Sequence, residues 1–205
     1  MGVVLTEDED KNILVDLVTT NPLAWLVSPN LVDATLLPLL PIVDDQQNIV
    51  AIEGHMARTN PHIKTLETEK SATILYKGPD SYMPTAWVAN KRLAPTWMFS
   101  SATFLVDVTL LPAEKDTQEH LKRLVVFMEK INGSSWSVDS MEERFEPMSR
   151  YVIGFRAAVK SVNRRFKLGQ NEEPDVLKEM VAGLMSADKA DIAAWMKRAN
   201  GRIDW

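Results

Sequence analysis

Cysteine is absent from the 205-residue chain. Its absence excludes disulfide bonds, thiolate metal sites and a cysteine nucleophile, and it is compatible with a reducing compartment. Histidine is scarce, with three residues in the whole chain. His55 and His62 lack the ligand spacing of a metal site, and His120 next to Glu119 is typical of a surface pair. We therefore expect no bound metal.

Long apolar runs and an excess of basic residues are absent as well. No stretch of about 18 apolar residues occurs, so we expect no membrane-spanning helix. Residues 1–10 lack a basic segment followed by an apolar core, so we expect no signal peptide and a cytoplasmic location. The formal net charge of −5 gives no support to broad nucleic-acid binding. The composition, 45% hydrophobic and 25% charged, is that of one globular domain.

The polar chemistry of the chain gathers in residues 54–64, directly after an apolar run. This stretch contains His55, Arg58 and Asn60, and Asn60 before Pro61 predicts a helix N-cap with proline at the first helical position. Free backbone N–H groups and the helix dipole would favour an anion such as phosphate there. The alternative is a strand-to-helix turn with solvated charges.

Short apolar, β-branched segments between turn residues predict antiparallel strands. One of them contains Pro38 and Pro41, and we expect it at a sheet edge or with a bulge, because proline donates no ladder hydrogen bond. Residues 77–80, with the sequence KGPD, predict a turn. The strands are predicted at 23–27, 34–43, 49–57, 72–76, 82–88, 96–111 and 151–166.

Helical signals concentrate at the two ends and after Pro112. Asp116 followed by Glu119 resembles a capping box, and Pro174 and Asp188 are predicted to start two later helices. An apolar stripe follows the first of these signals at Leu121, Leu124, Val125, Met128 and Ile131. The helices are predicted at 9–20, 61–67, 115–132, 141–148 and 174–200. Since strands and helices do not alternate, we expect one α+β domain over residues 1–205, a mainly antiparallel barrel with peripheral helices.

Six segments in this order and spacing resemble the PaiB family, the FMN-binding negative transcriptional regulators. The resemblance spans about residues 10–186 and is carried by residues 21–24 (NPLA), 34–40 (ATLLPLL), 54–61 (GHMARTNP), 82–91, 95–97 (PTW) and 167–171 (KLGQN). It implies the FMN-binding split-barrel fold shared with pyridoxamine 5'-phosphate oxidases and flavin reductases. It also implies FMN as cofactor and a homodimer with the flavin sites at the subunit interface.

The resemblance assigns flavin-binding roles to polar and aromatic residues that match the family pattern. The candidate cofactor-binding residues are His55, Arg58, Asn60, Trp87, Lys91, Thr96, Trp97, Lys167, Gln170 and Asn171. Pro95 matches the pattern as well but is not assigned a binding role.

Each assignment has an alternative based on the residue type. A guanidinium at Arg58 and an ammonium at Lys91 suit a phosphate, but both could be surface cations. Trp87 and Trp97 could line the flavin ring or belong to the core. The segment 167–171 could cap a helix or complete the site of a partner subunit.

The chain departs from the family pattern at several positions. Leu36 and Thr103 stand where the family usually has histidine. Met98 and Phe99 replace asparagine and tyrosine, and Val88 replaces an aromatic residue. These differences remove polar groups that could touch flavin or substrate.

Three functions are therefore considered. The first is a PaiB-type flavoprotein, acting as a regulator or redox-linked sensor; the second is a flavin-dependent oxidoreductase of the flavin reductase or pyridoxamine-oxidase kind. The third is a dimeric interaction protein that has lost the flavin. DNA binding follows only from the family label, because the basic residues of 156–167 are also typical of a solvated strand face. No nucleophile elbow or phosphate-binding glycine loop is present, so covalent catalysis and nucleotide hydrolysis have no support.

Overall fold

The computed structural model describes residues 7–29, 31–201 and 203–205. Its helices are α1 (Glu7–Thr20), α2 (His62–Thr68), α3 (Glu114–Ile131), α4 (Phe145–Ser149), α5 (Pro174–Ser186) and α6 (Ala190–Ala199). Its strands are β1 (Leu23–Val27), β2 (Ala34–Pro38), β3 (Leu40–Val43), β4 (Ile49–Ala57), β5 (Ser71–Met83), β6 (Thr96–Leu111) and β7 (Val152–Lys167). Short 3₁₀ turns occupy Thr85–Trp87 and Val138–Arg144.

The seven strands form one sheet in the order β2-β1-β5-β6-β7-β4-β3. The pairs β1–β2, β1–β5, β3–β4 and β4–β7 are antiparallel, as the sequence predicts. The chain separates into two compact units. The first comprises the described parts of Met1–Leu14, Lys77–Ser101 and Arg164–Trp205, and the second comprises Val15–Tyr76 and Ala102–Asn163.

The proline-rich run 34–43 is two strands, so its prediction as one strand is wrong. The run breaks at Leu39, whose backbone N–H donates to the carbonyl of Pro22 at 2.8 Å instead of continuing a ladder. Strands β2 and β3 then lie at the two opposite edges of the sheet, where Pro38 and Pro41 are tolerated. The edge position was therefore predicted correctly, and a register shift at Ile42 adds the irregularity.

The turn predicted at residues 77–80 is also wrong, because β5 runs through it. The register of β5 with β1 covers Thr73–Leu75, so Pro79 lies beyond that pairing and its missing N–H breaks none of those hydrogen bonds. The strand predicted at 82–88 is corrected as well. Strand β5 ends at Met83, and a 3₁₀ turn follows Pro84.

The core of the second unit comes from the inward faces of its strands. Phe104, Phe155 and Ile52 are fully buried, and each such side chain stabilises the fold by roughly 1.5–3 kcal/mol. Gly54 of β4 sits in close contact with this core. A Cβ there would lie 2.6 Å from Leu39 Cδ2 and 2.6 Å from Phe155 Cζ, which only glycine avoids. This close packing fixes the backbone next to His55.

The first unit buries the apolar faces of α5 and α6, as their periodicity predicts. Leu177, Met180 and Leu184 of α5 pack in one cluster with Ile192 and Met196 of α6. The predicted start of α5 at Pro174 is confirmed.

The predicted cap of α6 is wrong. Asp188 has φ 56°, the left-handed conformation that ends a helix, and the next residue, Lys189, donates its N–H to the carbonyl of Leu184 at 3.0 Å. Asp188 therefore closes α5, and α6 begins two residues later at Ala190.

Helix α3 begins earlier than the predicted capping box. Its N-cap is Ala113, so Asp116 lies inside the first turn, where its charge favours the helix dipole, and it caps nothing. The face buried in the fold carries Thr117, His120 and Leu124. The predicted helical piece at 141–148 is confirmed as the 3₁₀ turn followed by α4.

Candidate functional site

Strand β4 places two titratable side chains on one face of the sheet. Side chains two residues apart on a strand point the same way, so Glu53 and His55 are neighbours. Glu53 is 3% exposed, which makes it a carboxylate inside the core of the second unit. Such a charge is tolerated only when it is paired and hydrogen-bonded.

Three side chains satisfy the Glu53 carboxylate. His120 of α3, itself fully buried, has Nδ1 3.3 Å from Oε2, and Arg123 donates from Nη2 to the same oxygen at 2.8 Å. Arg156 of β7 donates from Nη1 to Oε1 at 2.6 Å. The carboxylate thus connects β4, α3 and β7.

These partners control the ionisation of Glu53. Burial by itself raises the pKa of the carboxyl, but the hydrogen bonds from His120, Arg123 and Arg156 outweigh it and lower the pKa from 4.5 to about 2. Glu53 is therefore ionised at neutral pH.

His55 extends this network outward. Its Nδ1 lies 3.3 Å from Nε2 of His120, with ring centroids 5.5 Å apart and planes inclined at 59°. Burial, together with the neighbouring His120, lowers the pKa of His55 from 6.5 to about 4. The imidazole of His55 is therefore neutral near pH 7.

A pocket of about 200 Å³ in the second unit opens beside His55. Its walls come from α3, from the segment 136–149 and from the start of β7, and they are almost entirely apolar. The hydroxyl of Ser149 is already used, since it donates to the carbonyl of Glu146 at 2.7 Å and accepts from Gln118 at 3.0 Å. The other lining residues are Leu121, Val125, Trp136, Val138, Met141, Phe145, Met148 and Val152.

Arg58 and Asn60 lie beyond the end of β4 in the same unit. Asn60 is used within the fold: its Oδ1 accepts from the N–H of His62 at 3.0 Å, and its Nδ2 donates to Thr35 at 3.4 Å. The predicted N-cap is therefore wrong by one residue: Pro61 is the N-cap, α2 begins at His62, and Asn60 precedes the cap. Arg58 is exposed and donates from Nε to the carbonyl of Arg150 at 3.0 Å. Its terminal nitrogens have no hydrogen-bond partner among the described residues.

Two predicted residues of the first unit, Lys167 and Thr96, meet, and a third, Trp97, contacts a ring that was not predicted. The ammonium of Lys167 donates to the hydroxyl of Thr96. Trp97 is 53% exposed and packs edge-to-face against Tyr82, with ring centroids 6.1 Å apart. The start of β6 therefore carries two adjacent features: Thr96, which binds the ammonium of Lys167, and Trp97, whose aromatic ring is exposed.

The other predicted residues of this unit make internal contacts. Lys91 donates to the carbonyls of Val88 at 2.7 Å and Thr85 at 3.1 Å. Gln170 bridges the backbone of its own turn, and Asn171 is exposed.

Trp87 packs on the apolar core of the same unit. A Cβ on Gly183 of α5 would lie 2.5 Å from the Trp87 ring, so glycine makes room for the indole. This contact is the core role that large aromatic side chains commonly have. The flavin-binding role of Trp87 stays a prediction.

An exposed apolar row crosses the sheet of the second unit. Trp25 of β1 is paired in register with Leu36 of β2 on one side and Leu75 of β5 on the other, and all three side chains are exposed. Leu23 precedes Trp25 by two residues and lies on the same strand face. We call these four side chains the apolar row.

The interaction of Glu53 with His120 was missed in the sequence, and the interpretation of His120 as a surface residue is wrong. Both residues do leave a signal. Glu53 interrupts an apolar strand at an inward position, and His120 lies three residues before Arg123 and four before Leu124, on the buried face of α3. Their separation of 67 residues hides the contact.

Two findings concern the described residues alone. Within them, no group of three or more His, Asp or Glu side chains could hold a metal ion. No helix in this part of the chain is long and apolar enough to cross a membrane.

The fold defines a class of protein. The expected class, an α+β split barrel with mainly antiparallel strands, is confirmed by its similarity to solved structures. A Mycobacterium smegmatis protein described as FAD and heme binding shares 16% identity over 84% of this chain and 77% of its own, with TM-score 0.55. The Azotobacter vinelandii flavocytochrome Anf3 shares 13% identity over 77% and 67%, with TM-score 0.53. A conserved hypothetical protein from Mycobacterium tuberculosis shares 13% over 81% and 88%, with TM-score 0.52.

The family follows from the sequence profile that matches residues 5–161, described as "Putative FMN-binding domain". The chain belongs to this family. No curated protein matches it significantly.

We expect the charge of Glu53 to stabilise the fold. Its folded pKa of about 2 lies below its ordinary value of 4.5, so this stabilisation is complete above pH 4.5 and is lost as the pH falls toward 2. At about 1.4 kcal/mol per pKa unit, Glu53→Gln should lower the free energy of unfolding by about 3 kcal/mol at pH 7. Urea denaturation at pH 7 and pH 3 measures the loss and its decrease in acid.

Glu119→Gln is the matched control on α3, because the Glu119 carboxylate makes one exposed contact, with Lys115 at 4.0 Å. Its cost should stay below about 0.5 kcal/mol at both pH values. Equal losses for the two variants at pH 7 would contradict the stabilising role of the buried charge.

Proposed function

We propose that this chain is an FMN-binding split-barrel protein of the PaiB type, which works as a homodimer and serves as a redox-linked sensor. The observation that carries the proposal is the apolar row in a member of an FMN-binding family. Exposed rows of large apolar side chains are uncommon on monomers and are typical of interaction surfaces.

A second copy of the chain suits the apolar row. Leu36 and Trp25 face each other across β1 and β2, so the row is continuous over neighbouring strands. Two-fold related copies can cover the same patch on each other, as in most dimers. Leu36 stands where the resemblance implies a histidine, so the face is more apolar here than the family pattern suggests.

Arg58 of the second unit suits a flavin phosphate, because its terminal nitrogens can fork onto the phosphate oxygens. The first unit, taken by itself, offers an ammonium at Lys167, a hydroxyl at Thr96 and an exposed aromatic face at Trp97. A bound flavin would supply the redox chemistry, and side chains of these kinds would hold and orient it.

The regulatory part of the proposal is redox sensing and does not require DNA binding through β7. Arg156 pairs with Glu53, and Lys160 pairs with Asp107 at 3.0 Å. These two cations of β7 already have carboxylate partners within the second unit, so they offer little charge to a phosphate backbone.

A gel-shift assay tests this expectation. Arg156 and Lys160 of β7 are paired with carboxylates, and the net charge is −5. We therefore expect no retarded band with double-stranded DNA at about 150 mM salt. A retarded band that weakens steeply as salt increases would instead establish contact with the phosphate backbone.

Flavin binding is tested by the visible spectrum of the purified protein and by FMN titration. We expect a yellow protein, or quenching of added FMN. Arg58→Ala should raise the FMN Kd at least tenfold, because a charged hydrogen bond to phosphate is worth about 1.5–3 kcal/mol.

Lys70→Ala removes one exposed charge elsewhere in the same unit and should change the FMN Kd less than twofold. If both variants raise the FMN Kd equally, the loss of affinity comes from the change in net charge, and the proposed phosphate site at Arg58 is wrong.

Dimerisation is tested by sedimentation velocity. Trp25→Asp puts a charge into the apolar row and should shift the protein from dimer to monomer, since a buried unpaired carboxylate is costly. Val50→Asp, at an exposed position on β4, should leave the dimer intact. A monomeric natural chain would overturn the proposal.

A second candidate is the dimeric interaction protein without flavin. Met98 favours it, because this residue stands where the resemblance implies a polar asparagine and lies buried in the apolar core of the first unit. A colourless dimer that leaves added FMN unquenched would select this candidate.

A further inference from the structure

We propose that the pocket beside His55 binds a small aromatic molecule that carries a hydroxyl group, a phenol, with the hydroxyl donating a hydrogen bond to Nε2 of His55. This site lies within the second unit and is independent of the proposed flavin function. Its evidence is the size of the pocket, its lining and the direction of the hydrogen bonds behind His55.

The size of the pocket selects a small ring. An engineered apolar cavity of about 150 Å³ takes up benzene. The present volume of about 200 Å³ leaves room inside the pocket for one aromatic ring with a small substituent. A flavin ring system is larger than this space.

The lining selects an apolar, aromatic ligand. Trp136 and Phe145 offer ring surfaces, on which aromatic molecules stack or pack edge-on. Met141 and Met148 have flexible side chains that adapt to irregular ligands. No Asp, Glu, Lys or Arg is among the lining residues, so an ionised ligand such as a carboxylate would stay unpaired.

The network behind His55 sets which hydrogen-bonding group faces the pocket. Glu53 is an ionised carboxylate and can only accept, so Nδ1 of His120, 3.3 Å from Oε2, is the donor between them. We assign Nε2 of His120 as the acceptor from Nδ1–H of His55, 3.3 Å away. The tautomers are assigned from this hydrogen-bond network.

This arrangement makes His55 an acceptor toward the pocket. Its Nδ1 carries the proton and faces His120, so Nε2 bears the lone pair and is the ring nitrogen left for the pocket that His55 lines. A lone pair there would be satisfied by a ligand with one hydrogen-bond donor. A phenol places that donor directly on the aromatic ring that the lining prefers.

The segment that walls the pocket carries local backbone strain. Glu142, between the lining residues Met141 and Phe145, has φ 49° and ψ −130°, a conformation that non-glycine residues rarely adopt. Such strain persists where surrounding packing holds it and occurs preferentially around binding sites.

The test compares two probes of nearly equal shape, p-cresol and toluene. We expect p-cresol to bind about tenfold more tightly in isothermal titration, since only p-cresol can satisfy the lone pair of His55. Equal affinities for the two probes, or no binding of either, would overturn the proposal.

Two substitutions of His55 separate its two ring nitrogens. His55→Asn keeps a donor near the position of Nδ1, toward His120, but removes Nε2. The tenfold preference for p-cresol over toluene should then disappear. His55→Gln retains a polar atom near the position of Nε2 and should keep part of the preference. A preference that survives His55→Asn unchanged would show that the hydroxyl does not meet His55.

Filling the pocket supplies a second, independent test. Val125→Phe adds a ring on the pocket wall and should lower the affinity for both probes at least tenfold. Val126→Phe, the adjacent position on the outer face of α3 and 64% exposed, should change neither affinity. Thermal unfolding checks that both variants fold. Unchanged p-cresol binding in a folded Val125→Phe protein would place the ligand elsewhere.

Discussion

The buried carboxylate of Glu53 is the constraint on which the second unit depends. It is contacted from α3 by His120 and Arg123 and from β7 by Arg156, so one charge fixes three elements against each other. Removing one partner would take a hydrogen bond from a buried charge, which costs more than an exposed ion pair gains. The same carboxylate contacts His120, whose Nε2 lies 3.3 Å from Nδ1 of His55, while burial and His120 lower the pKa of His55 and keep it neutral.

Most of the regular structure could be predicted from local patterns. The strands from residues 49–57, 96–111 and 151–166 and the helix from Pro174 follow periodicities that tertiary packing reinforces. The failures have one physical origin. At Leu39 a strand ends and at Pro79 a strand continues, because of the hydrogen bonds that distant segments supply or leave out, and local sequence does not specify those segments.

The candidate site was predicted less well than the fold, because a sequence shows donors and acceptors without their partners. Asn60, Lys91 and Gln170 have suitable groups for a ligand, yet each is engaged with nearby backbone or side chains. Conversely, Glu53 and His120 carry no recognisable motif, and only folding brings them together. Arg58 is different, since its terminal nitrogens have no hydrogen-bond partner among the described residues.

The surface and the interior of the second unit differ in polarity. On the exposed apolar row, Leu36 stands where the resemblance implies histidine. In the interior, Glu53 and His120 are buried and hydrogen-bonded to each other, and His55 contacts His120. Stability alone does not explain that burial, because well-packed apolar side chains replace buried ion pairs at little or no cost. What the buried charge provides is a fixed proton arrangement on His55, whose ring meets an apolar pocket. The second unit therefore combines the exposed apolar row with an oriented hydrogen-bonding group beside its pocket.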